Sequence, residues 1–144
     1  MMYGSHPPSK SGLDRRVIFE APLRHFVWWL GFVLLGTFIG YPNAICLTPL
    51  VWLLAYRVGV FCSARTKSVL PMRRLTEAGL AGGIFGLLQG LLFGVILPFM
   101  AANQDEEWTK SIGLILIMLI ASIWIGAGLS FFAAYLIETR RLGA

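Results

Sequence analysis

Charged side chains are scarce in this sequence. They make up 13% of the 144 residues, against about 25% in an ordinary soluble domain, whereas hydrophobic residues reach 57%. The apolar residues also come in long blocks with hardly a charge, a pattern typical of helices that cross a bilayer. The scarcity of charge therefore argues against a soluble globular domain and predicts an all-α integral membrane protein.

Residues suited to catalysis or metal binding are scarcer still. The chain has 2 histidines and 2 cysteines, and these show no metal-ligand spacing. No acidic residue falls inside an apolar block, whereas small multidrug-type carriers of similar size depend on a membrane-embedded acid. A phosphate-binding loop and a Ser/His/Asp set are also absent from the sequence. We therefore expect neither an enzyme nor a metal site, and these residues predict no cofactor.

The apolar blocks divide into four predicted spans. Residues 26–56 carry no charge, and as one helix they would measure about 46 Å against a hydrocarbon core of about 30 Å. Pro42 and Asn43 favour a turn in the middle of this block. Pro22 suits the first turn of a helix, where its missing N–H costs nothing. The predicted order is a flexible cytoplasmic tail at 1–21, a membrane domain at 22–137 with spans at 22–41, 44–62, 78–100 and 111–137, and a short cytoplasmic tail at 138–144.

The placement of the basic residues predicts the topology. With four spans, only Lys110 of the 12 Lys and Arg residues falls on one side of the membrane, whereas three spans would divide them almost evenly. The positive-inside rule then favours two helical hairpins with both termini on the cytoplasmic or matrix side. The expected location is a bacterial cytoplasmic membrane or an organellar inner membrane. Because these charges are spread over tails and one loop, nucleic-acid binding is not predicted.

Five basic residues are candidates to contact anionic lipid or a charged partner: Arg57, Arg65, Lys67, Arg73 and Arg74. Arg57 falls inside the second predicted span, where its side chain either snorkels to the headgroups or pairs with a charge of another subunit. The predicted loop at 63–77 carries apolar residues between its cations and lies either in the headgroup region or in solvent. Bound anionic lipid is therefore expected.

Glycine recurs at every fourth position of the stretch GGIFGLLQGLLFG, at Gly82, Gly86, Gly90 and Gly94. We call these four residues the glycine stripe. Each glycine inside a helix costs about 0.8 to 1.0 kcal/mol relative to alanine, so a close contact has to offset the cost. In lipid, helices associate by close packing, and small residues let their backbones approach.

Three occupants of the glycine stripe remain open from the sequence. One is the fourth predicted span, which carries small residues at Ser122, Gly126 and Ser130, here called the small-residue track. The second is a helix of a neighbouring subunit, and the third is a flat lipid, quinone or pigment. Gln89, near the middle of the third span, is predicted either to form an interhelical hydrogen bond or to line a path.

A short motif places an alanine four positions before His25, in Ala21-Pro22-Leu23-Arg24-His25. This AxxxH spacing resembles the pigment-ligating element of bacterial light-harvesting polypeptides, in which the gap leaves room for a chlorin ring. The resemblance covers these five residues and implies pigment ligation by His25. It departs from that element because His25 falls at the predicted membrane edge beside Arg24. An interfacial histidine bonded to headgroups or to a neighbour is the alternative.

The absence of catalytic groups, together with surfaces suited to helix contacts, predicts a non-catalytic role. We expect an accessory, assembly or stabilising subunit of a larger membrane complex of respiratory, ATP-synthase or photosynthetic type. Its partners would be other membrane subunits, with homo-oligomers as a further option, and anionic lipids. The alternatives are a small oligomeric channel or transporter with Gln89 on the path, and a pigment- or quinone-holding subunit.

Overall fold

The computed structural model describes residues 12–38, 44–101 and 108–143, and these form four helices and no strand. The helices are α1 (Arg15–Phe38), α2 (Ala44–Arg65), α3 (Pro71–Ala101) and α4 (Trp108–Leu142). The all-helical class predicted from the sequence is confirmed. Among the described residues, three helical segments are long and apolar enough to cross a membrane: Arg15–Leu35, Pro71–Leu92 and Ile112–Leu142.

Helix α1 begins earlier than the sequence predicted. Residues 15–21, assigned to the flexible tail, are helical, and Pro22 lies inside the helix instead of in its first turn. The reason is tertiary, because Val17 and Ala21 belong to the buried core. Their contacts offset the backbone hydrogen bond that a proline removes. The rest of the predicted tail, residues 1–11, lies outside the described part of the chain.

The connection between α2 and α3 is shorter than the predicted loop at 63–77. Only residues 66–70 are non-helical there, because α2 continues to Arg65 and α3 begins at Pro71. A proline suits the first position of a helix, and the carbonyl of Leu70 accepts the backbone N–H groups of Arg73 at 3.1 Å and Arg74 at 3.2 Å. Several basic residues of the predicted loop are therefore held on helices. Helix α4 likewise extends past the predicted span at 111–137 on both sides.

The helices pack as a bundle in which α3 and α4 form the most extensive pair. Helix α2 packs against both of them, and α1 packs against α2 and α3. Within the described residues, α1 does not contact α4. The core is rich in alanine, which allows close approach of the helices, and includes Val17, Ala21, Trp29, Val51, Leu54, Ala55, Val58, Cys62, Leu75, Ala78, Ala81, Phe85 and Ala134.

Candidate functional site: helix contacts and the Glu77 cluster

The glycine stripe of α3 faces α4 of the same chain. A Cβ atom added at Gly86 would lie 2.7 Å from the carbonyl carbon of Ser122. One added at Gly82 would lie 2.5 Å from the Cβ of Ser130. These gaps are too small for a side chain, so the α3 and α4 backbones approach more closely than any larger residue would allow.

Gly126 completes the same contact from the α4 side. A Cβ there would lie 3.2 Å from the carbonyl carbon of Gly82 and 3.2 Å from the backbone nitrogen of Gly86. A Cβ at Gly90 would lie 2.9 Å from a leucine side chain of α4, whereas the surroundings of Gly94 lie outside the described residues. The sequence left three candidates to pack against the glycine stripe. In the structure, the small-residue track of α4 packs against it at Gly82 and Gly86. At Gly82 and Gly86, the close approach of α4 therefore leaves no room for a partner helix, a quinone or a pigment.

Ser130 also ties α4 to α2. Its hydroxyl donates to the carbonyl oxygen of Ala55 at 2.6 Å, and a Cβ at Gly59 would lie 2.7 Å from the Ser130 Cα. Gly59 was not predicted as a contact residue, although Ala55 and Gly59 have the small-xxx-small spacing typical of membrane helix contacts. The Ser122 hydroxyl stays within α4 and donates to the carbonyl oxygen of Met118 at 2.7 Å.

A second row of α3 faces the interior of the bundle. Glu77, Ala81, Phe85 and Gln89 recur at every fourth position and are 0%, 0%, 0% and 7% exposed. Gln89 therefore lies inside the bundle and not on its outer surface. The interhelical hydrogen bond and the path predicted for Gln89 remain predictions.

From the sequence, Glu77 was placed at the end of the predicted loop at 63–77, but it lies inside α3. Its carboxylate is fully buried and accepts three hydrogen bonds. One oxygen accepts the backbone N–H of Asp14 at 2.7 Å and the hydroxyl of Ser68 at 2.7 Å, and the other accepts the hydroxyl of Thr66. These donors replace the water that burial removes. Glu77 thus joins the first turns of α3 to the start of α1 and to the 66–70 connection.

Arg74, one of the candidates for contact with lipid or a partner, is partly buried and forms an ion pair within the chain. Its guanidinium lies 3.1 Å from a carboxylate oxygen of Glu138, and Arg141 binds the same oxygen at 3.1 Å. The Nε–H of Arg74 also donates to the carbonyl oxygen of Ser68 at 2.6 Å. This ion pair joins the start of α3 to the end of α4. It is partly dehydrated, because Glu138 is 7% exposed.

The two networks meet at Ser68, and together they form what we call the Glu77 cluster: Asp14, Thr66, Ser68, Arg74, Glu77, Glu138 and Arg141. It brings the start of α1, the α2–α3 connection and the end of α4 to one end of the bundle. No sequence pattern marked it, because its directly bonded partners are separated by up to 64 positions. The short polar segment between α2 and α3 was the only local signal.

The other basic candidates keep more exposed positions. Arg57, Arg65 and Lys67 are exposed, and Arg73 is partly buried. Arg65 lies 3.3 Å from Glu20 with 55% of its side chain exposed, so the pair contributes at most about 1 kcal/mol. Arg65 and Lys67 line a cleft of about 620 Å³ beside the first turn of α1. Contact of these residues with lipid or a partner stays a prediction.

His25 lies at the contact between α1 and α2. Its Nδ1–H donates to the carbonyl oxygen of Ala21 at 2.7 Å, and its ring meets the ring of Phe61 edge-on at 5.7 Å. This hydrogen bond leaves Nε2 as the nitrogen suited to ligation. Within the described residues, no group of three or more His, Cys, Asp or Glu side chains is arranged to hold a metal ion.

An apolar groove of about 600 Å³ runs along the outer side of the α3–α4 pair. Its floor is formed by Gly79, Gly83 and Ala127, and exposed apolar side chains such as Leu80 and Trp124 stand at its edges. A Cβ at Gly83 would lie 3.8 Å from the Cβ of Ala127, an ordinary contact distance. This α3–α4 groove is thus open, in contrast to the glycine stripe.

Comparison with family models, curated proteins and solved structures found no match to this chain.

Proposed function

We propose that this chain is a non-catalytic accessory, assembly or stabilising subunit of a larger membrane protein complex of respiratory, ATP-synthase or photosynthetic type. Its main contact would be the α3–α4 groove, occupied by a transmembrane helix of a partner subunit. The observation that carries the proposal is the open floor of Gly79, Gly83 and Ala127 beneath exposed apolar edges. In lipid, such small residues allow a second backbone to pack closely, which is the main source of helix association there.

The exposure of α4 supports the need for a partner or lipid around it. The segment Ile112–Leu142 is apolar enough to span a membrane, yet only 6% of its most apolar window is buried inside the chain. Trp124, at the edge of the groove, is 74% exposed. Water would oppose exposing this much apolar surface, whereas a bilayer and a neighbouring helix would both accept it.

Four crossings with both termini on the positive side are part of this proposal. The Glu77 cluster supports it, because Asp14 at the start of α1, Thr66 after α2 and Glu138 near the end of α4 are linked at one end of the bundle. An even number of crossings brings these segments to the same side. The basic residues on those segments then face the compartment that the positive-inside rule assigns to them.

The test is to fill the groove and ask whether the partner is lost. Gly83→Leu should reduce co-purification of neighbouring subunits about tenfold or more after gentle detergent extraction, as measured by quantitative mass spectrometry of the co-migrating proteins. Gly113→Leu is the matched control, because nothing lies within 4 Å of a Cβ at Gly113. Full recovery of neighbours with Gly83→Leu, at normal yield of the chain itself, would refute the groove as the interface.

A pigment- or quinone-holding subunit is the second candidate. It is favoured by His25, whose bond to Ala21 leaves Nε2 suited to ligation. The absorption spectrum of material extracted from the native membrane tests it. A pigment band that disappears with His25→Phe would support this role, and colourless native material would exclude pigment.

A further inference from the structure

The contact between α1 and α2 carries a group of cations around one aromatic ring. The guanidinium of Arg24 lies 5.4 Å from the centre of the Phe61 ring, and that of Arg65 lies 4.9 Å from it. Both distances are within the range of a cation–π interaction. His25 lies against the same ring, and Arg57 stands four positions before Phe61 on α2, so the two share one face of that helix. We call Arg24, His25, Arg57, Phe61 and Arg65 the arginine face.

The carboxylates available to this face do not balance its charge. Glu20 lies 3.7 Å from Arg16 and 3.3 Å from Arg65, and is thereby shared between these two arginines. Arg24 and Arg57 are exposed and form no ion pair within the described residues. Two exposed arginines without a carboxylate partner therefore stand on adjacent helices, and the Arg24 guanidinium lies over the Phe61 ring.

The position of these arginines along the helices indicates the kind of anion they would meet. Arg57 lies about 12 Å nearer the middle of α2 than Arg65 does, at 1.5 Å per residue. The faces that carry the two arginines continue as apolar surface. Trp28 and Phe32 follow Arg24 by four and eight positions on α1, Leu53 precedes Arg57 by four on α2, and these side chains are 62%, 44% and 54% exposed. A ligand that fits this surface has a negative head next to the guanidinium groups and an apolar tail along the helices.

We propose that Arg24 and Arg57 bind the phosphate group of an anionic membrane lipid, with its acyl chains against the apolar surface of α1 and α2. Guanidinium groups suit this role because they offer several fixed N–H donors to phosphate oxygens. Phe61 holds Arg24 in place through its ring face. The inference rests on the membrane insertion proposed above, but not on the proposed subunit role or on the α3–α4 groove.

The experiment measures lipid binding to the purified chain in a neutral detergent. Native mass spectrometry would count bound phosphatidylglycerol and phosphatidylcholine, and titrations would compare their apparent Kd values. We expect the chain to prefer phosphatidylglycerol clearly over phosphatidylcholine. In Arg24→Gln/Arg57→Gln, binding of phosphatidylglycerol should weaken roughly 10- to 30-fold, since each cation near an anionic lipid changes the Kd about fivefold.

The matched control, Arg15→Gln/Arg140→Gln, removes the same charge from two exposed arginines outside the arginine face and should change this Kd by less than about threefold. Equal weakening by both double variants would overturn the proposal, because it would indicate general charge attraction. Equal occupancy by inorganic phosphate at the same concentration would also overturn it, because the apolar tail would then play no part.

The variant Arg24→Lys/Arg57→Lys provides a second test in case the glutamine variant does not fold. It keeps both charges and should retain more binding than the glutamine pair; binding as weak as in the glutamine pair would count against phosphate recognition through charge. Because the assay uses the chain without partners, its failure would leave the subunit proposal standing. Failure of the Gly83→Leu test would in turn leave the lipid site intact.

Discussion

Two faces of α3 are built from small residues, but they differ in what covers them. The glycine stripe meets α4 so closely that no side chain fits between them at Gly82 or Gly86. The α3–α4 groove has a similar floor at Gly79 and Gly83, yet it stays open along its length. Glycine spacing therefore identifies a face suited to backbone contact, whereas the tertiary arrangement decides whether the same chain already provides that contact.

The largest expected effect comes from obstructing the covered face. Gly86→Leu should lower the free energy of unfolding by about 3 kcal/mol or more, because its Cβ would meet the backbone of α4 near Ser122. Thermal unfolding of the purified chain in detergent measures the loss. Gly83→Leu is the comparison on the open face and should cost much less. Equal losses from the two substitutions would mean that the faces do not differ.

The second prediction tests how much the buried carboxylate of the interior row of α3 contributes to the stability of the bundle. Glu77→Ala should cost about 2 to 3 kcal/mol, because the backbone N–H of Asp14 would lose its acceptor inside the bundle. Thermal unfolding again provides the measurement, and Glu20→Ala is the control, since Glu20 is more exposed and forms only surface ion pairs. A similar small loss for both variants would contradict the hydrogen-bonded geometry of Glu77.

A smaller effect is expected where α4 meets α2. Ser130→Ala should cost about 1 kcal/mol, because its hydroxyl crosses to the carbonyl oxygen of Ala55. Ser122→Ala removes a hydroxyl that bonds to Met118 of its own helix, and such bonds add little to helix stability. The difference between the two unfolding temperatures isolates the interhelical bond, and no difference would argue against it.

The smallest effect should come from adding a methyl group to the open face. Gly83→Ala should leave stability unchanged or raise it by up to about 1 kcal/mol, because alanine favours helix over glycine and the Cβ would lie at an ordinary distance of 3.8 Å from Ala127. Gly82→Ala, on the covered face, should be destabilising. A loss from Gly83→Ala as large as that from Gly82→Ala would show that the groove is closed.

Several elements were accessible from the sequence because they follow from local patterns. Long apolar blocks interrupted by Pro42, Asn43 and charged segments predicted helices, and the described part of the chain contains four. The small-residue track at Ser122, Gly126 and Ser130 was among the predicted occupants of the glycine stripe for the same reason. Spacing along one helix determines which residues share a face, and a matching spacing on another helix indicates a candidate partner.

Helix boundaries were less accessible, and α1 shows why. Pro22 was expected in the first turn from its own backbone chemistry, but the helix begins at Arg15. Burial of Val17 and Ala21 against other helices stabilises the added turns. No property of residues 15–21 by themselves reveals the helices against which they pack.

The sequence by itself determined the helical class, the apolar character of the helices and the backbone-exposing stripe on α3, because each follows from composition or from spacing of neighbouring residues. Only the tertiary structure decided that α4 covers the stripe, that a second small-residue face stays open, and that Glu77 is buried. These outcomes depend on groups far apart in the chain, as when Arg74 meets Glu138 across 64 positions. A charged residue in a polar segment reads as solvated until its distant hydrogen-bond donors are known, and those donors come together only when the helices pack.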